Sequence, residues 1–324
     1  MSDHKDILDI DSLTQAELQE ILTRARLLRD SNREHSLERC SLGLLFEKPS
    51  TRTRVSFETG MTQLGGHAVF MSASDLQLDR GEPIADTARA LAGYLDVIAA
   101  RLTDHRTLET LAAHADIPVI NALTDEAHPC QTLADLLTIH DHCGDSQDVS
   151  VAYVGDGNNV ARSLTIGCAM AGIEISLASP PAYQIEDSVI ERAREYGVAP
   201  KRYEDPISAV AGADIIYTDV WVSMGDDDRS DRLDAFEGYQ VNESLLAHAP
   251  SSAAVMHCLP AVRGEEITDA VLESDRSLVW TQAENRLYAQ QGLLTHLMDG
   301  PTGDSPTTAV GSYQGALSEV DLQS

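Results

Sequence analysis

Lysine is almost missing from this 324-residue chain: Lys5, Lys48 and Lys201 stand beside 20 Arg, 31 Asp and 21 Glu. The formal net charge is −29, which repels free nucleic acid and anionic membranes, so neither is expected as a partner. Cysteine is sparse as well. Cys40, Cys130, Cys143, Cys168 and Cys258 form no Cys-x-x-Cys pair and are odd in number, which argues against a disulfide framework and for a reducing cytoplasm. No stretch approaches 18 consecutive apolar residues, and Met1–Asp11 lacks an apolar core of the signal-peptide kind; neither a membrane span nor the usual export route is expected. The absence of Gly-x-x-x-x-Gly-Lys excludes a Walker loop, and the absence of Gly-x-Ser-x-Gly excludes the commonest serine-hydrolase elbow. His-x-x-x-His spacing is missing too, so no metal is expected.

What is present is globular. Hydrophobic residues make up 43% of the chain and fall in regular blocks from Leu13 to Leu297. The length suggests two domains. The acidity fits either an ordinary acidic enzyme or a surface adapted to high salt, and the shortage of lysine favours the second.

Thr14-Gln15-Ala16-Glu17 reads as a capping box opening an amphipathic helix over 14–29. Short apolar runs then alternate with helical patterns. Strands are expected at 42–46, 68–72, 97–100, 119–123, 149–154, 174–178, 214–219, 254–258 and 278–280. Helices are expected at 53–64, 84–94, 105–114, 130–141, 159–171, 187–197 and 284–298. Strands separated by helices predict an α/β fold of two domains, each a parallel sheet flanked by helices. The polar segment 141–148 divides them, giving domains at 1–141 and 149–298, with the last helix packing back on the first domain. A mobile tail rich in Gly, Pro, Ser and Thr is expected at 299–324.

The unusual residues cluster just past the strands, where open α/β sheets bind ligands. Ser50-Thr51-Arg52-Thr53-Arg54 places three hydroxyls and two arginines at a helix start, which suits a phosphate. Arg101 ends a strand. In His128-Pro129-Cys130-Gln131 the imidazole can donate to a polarised carbonyl, and the amide offers both a donor and an acceptor. Gly155-Asp156-Gly157-Asn158-Asn159 falls short of a nicotinamide fingerprint, since Val160 replaces the third small residue and Ser179-Pro180 stands where an acid is needed. Asp219 at a strand end can hold an ammonium group, with Ser223-Met224-Gly225 close behind. His257-Cys258-Leu259-Pro260 follows the last long strand, and a cysteine nucleophile there is a possible but unneeded reading.

In this order and spacing, the motifs resemble those of the aspartate/ornithine carbamoyltransferase family, from the first helix to about Leu297. Ser50–Arg54 and His128–Gln131 are similar to its two carbamoyl-phosphate motifs. Asp219–Gly225 and His257–Pro260 resemble the acceptor segments of its ornithine-type members. Gln77-Leu78-Asp79-Arg80-Gly81-Glu82 lacks the lysine of the aspartate type. The resemblance implies an enzyme without a cofactor that passes the carbamoyl group of carbamoyl phosphate to L-ornithine, giving citrulline, as a homotrimer or an assembly of trimers. Putrescine or aspartate as acceptor, or a silent subunit on the same fold, are the alternatives. It further implies that Ser50, Thr51, Arg52 and Thr53 hold the phosphate, with Arg101 bridging phosphate and carbonyl. Gln77 would reach the site of a neighbouring subunit. His128, Gln131, Cys258, the Leu259 carbonyl and Arg286 would surround the carbamoyl group, and Asn159, Asp219, Ser223 and Met224 would bind ornithine. Arg52, Arg101, His128 and Cys258 would be catalytic.

Overall fold

The computed structural model describes residues 4–30, 36–77, 81–144, 148–222 and 229–299. Two parallel sheets form its frame. The first contains β1 (Ser41–Phe46), β2 (His67–Ser72), β3 (Val97–Arg101) and β4 (Val119–Leu123) in the order β2-β1-β3-β4. The second contains β5 (Ser150–Val154), β6 (Glu174–Ala178), β7 (Lys201–Tyr203), β8 (Ile215–Thr218) and β9 (Ala254–His257) in the order β7-β6-β5-β8-β9. Inner strands such as β3 and β5 are continuous apolar runs because helices cover both sheet faces.

The helices are α1 (Gln15–Asp30), α2 (Thr51–Gln63), α3 (Ile84–Ala92), α4 (His105–His114), α5 (Pro129–Cys143), α6 (Asn159–Met170) and α7 (Asp187–Glu195). Four short ones follow: α8 (Pro206–Val210), α9 (Arg229–Ala235), α10 (Glu243–Leu246) and α11 (Asp269–Leu272). Then comes the long α12 (Val279–Asp299). The capping box is formed: Glu17 N–H donates to Thr14 Oγ1 at 3.2 Å, and Thr14 N–H donates to Glu17 Oε2 at 2.7 Å.

Two helices join the halves. Helix α5 is buried from Pro129 through Ile139 and packs on α6 of the second sheet. Gly167 permits this approach, since a Cβ there would meet Thr132 Cγ2 at 2.3 Å. Helix α12 leaves the end of the second sheet and packs against α1, α2 and α5. One apolar core therefore runs from Leu42 and Phe57 through Leu133 and Leu164 to Tyr153 and Leu293.

One expected strand fails and one observed strand was not expected. The segment 278–280 is not a strand. Ser277 makes a single bridge to Val255, and Leu278 C=O already accepts the Gln282 N–H that starts α12. Leu278 and Val279 pack the start of that helix while Trp280 is exposed, and a three-residue run cannot distinguish strand from helix. Conversely, β7 escaped notice because Lys-Arg-Tyr is a charged edge strand with no apolar alternation. The expected tail lies outside the described residues beyond Asp299.

The fit of α12 against α1 is testable at Gly292, where a Cβ would stand 2.5 Å from Ile21 O, a backbone atom that cannot swing away. Gly292→Ala should lower unfolding stability by about 1–3 kcal/mol in urea titration. Gly212→Ala, with open space around it, should stay within about 0.5 kcal/mol of the parent. Equal effects would refute this account of the packing.

Candidate active site

Each sheet reverses its winding once, between β1 and β3 in the first and between β5 and β8 in the second. Parted crossovers leave a crevice at such points. The loops after these four strands begin at Glu47, Leu102, Gly155 and Asp219. Ser50 caps α2, its Oγ accepting Thr53 N–H at 3.4 Å. The first-turn N–H groups and positive dipole end of α2 therefore face the first crevice.

Thr53 is buried, and its Oγ1 accepts from Arg286 Nη2 at 3.1 Å. The other Arg286 nitrogen, Nη1, donates to Gln131 Oε1 at 2.5 Å. Gln131 Nε2 in turn donates to Asp135 Oδ1 at 2.8 Å. Asp135 is fully buried and also accepts from Gln282 Nε2 at 2.7 Å and Tyr217 Oη at 3.1 Å. One hydrogen-bonded chain thus ties α2, α5, α12 and β8 together.

Burial pushes the Arg101 pKa down to about 10, and the Arg286 and Arg52 charges add to the effect. Burial likewise lowers Arg286. His128 is held well below its ordinary value by burial and then by Arg286 and Arg101, so it is neutral at pH 7. Its backbone N–H donates to Ser163 Oγ at 2.9 Å, which fixes the start of α5. Arg101 Nε, Arg286 Nε and His128 Nδ1 are buried without a protein partner. Unpaired buried nitrogens of this kind, in a pocket of concentrated positive charge, are arranged for an anionic ligand. Arg54 points elsewhere: its Nε donates to Glu58 at 3.0 Å and its guanidinium lies 3.7 Å from the Phe70 ring centre.

The second crevice is built around Asp219. Its Oδ1 accepts from Cys258 Sγ at 2.9 Å and its Oδ2 from Asn158 Nδ2 at 2.9 Å. Asn158 also caps α6. Asn159 reaches across to the first half, donating from Nδ2 to Thr124 C=O at 2.5 Å. Leu259 has a φ of 59°, a left-handed conformation unusual for a branched side chain. It is held by its N–H donating to His257 Nδ1 at 2.9 Å, while His257 Nε2 donates to the buried Glu266 at 3.0 Å. The ligand atoms of Asp219, His257 and Cys258 lie within 4.8 Å of one another. Both imidazole nitrogens are already engaged, so the histidine has no lone pair to offer a metal.

The structure thus gathers Ser50, Thr53, Arg52, Arg101, His128, Gln131 and Arg286 on one side and Asp219, Cys258 and Leu259 on the other. Thr51 opens α2 and is exposed. Gln77 sits on an exposed turn beyond edge strand β2, its carbonyl accepting Glu82 N–H. Ser223 and Met224 lie outside the described residues. Sequence reading missed Asp135, Gln282, Tyr217, Asn158 and Glu266. Two had a visible signal: Asp135 lies four residues after Gln131, and Gln282 four before Arg286, one helical turn in each case.

Burial and then the Asp219 carboxylate hold the Cys258 thiol well above its ordinary pKa. Cys258 should therefore alkylate slowly with iodoacetamide at pH 8. Asp219→Asn should speed its modification about tenfold or more, read by peptide mass spectrometry. An unchanged rate would remove Asp219 as the group that keeps the thiol protonated.

Comparison with known proteins adds to this geometry. Residues 5–141 match the model of the aspartate/ornithine carbamoyltransferase carbamoyl-P binding domain, and residues 147–297 match that of the Asp/Orn binding domain. The chain is 58% identical over 299 residues to an ornithine carbamoyltransferase of Haloquadratum walsbyi, covering 92% of this chain and 99% of that one. It is 49% identical to one from Methanoculleus marisnigri, covering 91% and 97%. The solved ornithine carbamoyltransferase of Pyrococcus furiosus superposes with a TM-score of 0.88 at 47% identity, covering 92% and 98%. With both halves of the site assembled and both domain models matched, the chain belongs to the aspartate/ornithine carbamoyltransferase family.

Proposed function

We propose that this protein transfers the carbamoyl group of carbamoyl phosphate to the δ-amino group of L-ornithine, yielding L-citrulline and phosphate. The observation that carries the reading is the convergence of Arg52, Arg101, Arg286 and a neutral His128, with buried nitrogens left unpaired, at the capped start of α2. Names borne by relatives over nearly the whole chain support ornithine as acceptor.

In this reading Ser50, Thr51, Arg52 and Thr53 bind the phosphate, and Arg101 spans phosphate and carbonyl oxygen. His128 donates to that oxygen. Gln131 and the Leu259 carbonyl meet the carbamoyl amine, and Arg286 completes that pocket. Asn159, Asp219, Ser223 and Met224 bind the acceptor's α-amino and α-carboxylate groups, and Cys258 lies beside its δ-amino group. Gln77 serves the site of a neighbouring subunit in a trimer. Residues 1–141 form the carbamoyl-phosphate side and 149–298 the ornithine side.

The δ-nitrogen forms a bond to the carbonyl carbon, and the bond from that carbon to the phosphate oxygen breaks. Negative charge gathers on the carbonyl oxygen in between, and preorganised donors of this kind contribute about 3–4 kcal/mol each. The amine must attack unprotonated, although an alkylamine has a pKa near 10.4. The neighbouring guanidiniums and desolvation favour its neutral form. The departing phosphate takes the surplus proton, so no protein base is needed. The enzyme works in the cytoplasm, in keeping with its five free thiols. Its lysine-poor acidic surface suits high salt.

Arg52→Ala should lower kcat about 100-fold or more while circular dichroism stays unchanged. Near-normal turnover would refute the phosphate assignment. A citrulline assay offering ornithine, putrescine and aspartate, in dilute and in molar salt, tests acceptor and solvent together. Product from putrescine alone would overturn the acceptor, and full activity and stability in dilute buffer would overturn the salt adaptation.

A further inference from the structure

We propose that Asp135 is a positioning residue that fixes which end of the Gln131 amide faces the pocket, and so selects an acyl phosphate bearing an N–H over one bearing a methyl group. The inference rests on the reading of Gln131 as the partner of the carbamoyl amine.

A glutamine amide has a donor end and an acceptor end of nearly equal shape, and its surroundings decide which way it turns. Gln131 is buried between two groups that each accept only one orientation. Asp135 Oδ1, which also accepts from Gln282 Nε2, takes the NH2 end at 2.8 Å. Arg286 is a guanidinium and takes the oxygen at 2.5 Å. A flip would set NH2 against guanidinium and oxygen against carboxylate.

The two anchors are not equivalent. Arg286 also donates to Thr53 and lies among the anion-binding groups, where an incoming phosphate or carbonyl oxygen competes for its N–H groups. Asp135 is fully buried and held from behind by Gln282 Nε2 at 2.7 Å and Tyr217 Oη at 3.1 Å. No ligand competes for it. Asp135 therefore keeps the amide oriented when the ligand draws on Arg286, and the remaining lone pair of Gln131 Oε1 faces the pocket as an acceptor. A carbamoyl group supplies an N–H to that acceptor. An acetyl group supplies none and leaves it unpaired, the arrangement that discriminates strongly between near-isosteres.

The probe is acetyl phosphate, measured as a competitive inhibitor against carbamoyl phosphate in the full-length enzyme. Asp135→Leu should raise the carbamoyl phosphate KM about tenfold or more, with a smaller change in kcat, and leave the acetyl phosphate inhibition constant within about threefold. Asp135→Asn, which keeps an oxygen toward Gln131 and Gln282 and an NH2 toward the Tyr217 oxygen, should restore near-parental selectivity. If the leucine variant does not fold, Asp135→Ser is scored in the same way, because its hydroxyl is too short to span to Gln131. Equal loss toward both acyl phosphates, or unchanged selectivity in the leucine or serine variant while Gln131→Ala loses it, would overturn the inference. Unchanged selectivity in Gln131→Ala would instead sink the underlying reading of Gln131.

Discussion

Three guanidinium groups in a small, half-dry space repel one another, and the rest of the site exists to hold them there. Arg101 is fixed by its place at the end of an inner strand, and its pKa of about 10 records the strain of burial beside Arg286 and Arg52. Arg286 is fixed by Gln131 and Thr53. No carboxylate touches any of the three among the described residues. One placed there would neutralise the pocket and compete with the substrate. Asp135, one residue removed behind Gln131, is the carboxyl group that acts on Arg286 from a distance. Its own pKa is driven up to about 7, first by burial, against the lowering effect of its three donors and of Arg286. An anion bound among the three guanidiniums would offset their repulsion.

Holding the arginines requires the two halves to act as one body. The chain Thr53–Arg286–Gln131–Asp135–Gln282 crosses from α2 to α12, and Gln282 Oε1 continues it by accepting His257 N–H at 2.9 Å. His257 and Glu266 then fix the left-handed turn at Leu259. Asn159 adds a second tie, from the start of α6 to Thr124. The left-handed turn at Leu259 and the guanidinium of Arg286 are thus placed by one connected set of bonds. Such a network is costly to satisfy in part, because each buried group left unpaired loses its partner without regaining water.

Chain order and local pattern reveal much of this. The capping box at Thr14, the strands ending at Phe46, Leu123 and Ala178, and the polar motifs past the first two of these follow from spacing alone. Elements without a period stay hidden. Strand β7 is the three-residue run Lys-Arg-Tyr, and Leu278 and Val279 are apolar because they pack a helix start. Asp135 is the clearest case in the site. In the sequence it is one acid among 52, set in a helix, and reads as a solvated position. Only the fold shows that this helix is buried on every side. Asn158 was overlooked beside Asn159 for a related reason: sequence shows two adjacent amides, and only the backbone decides that 158 meets Asp219 while 159 turns to Thr124.

The scarcity of lysine and the excess of acid then separate into two roles for arginine. Many surface arginines are tied to acids: Arg24 to Glu20, Arg192 to Asp9 and Asp11, Arg202 to Asp187, Arg263 to Asp269 and Glu273. Arg276 instead spends its donors on the Ala253, Leu246 and Pro250 carbonyls. Exposed pairs contribute about 0–1 kcal/mol each and fade in salt. The self-repulsion of a −29 surface fades in the same salt. Arg286 is buried and so is the Nε of Arg101, so these charges are screened far less than the exposed pairs. High salt therefore removes the barrier that the outside of the molecule raises against carbamoyl phosphate and spares the attraction inside. What marks the site is consequently not arginine itself but arginine that keeps a buried nitrogen without a partner and touches no acid, as Arg101 and Arg286 do, in a chain where acids outnumber bases by more than two to one.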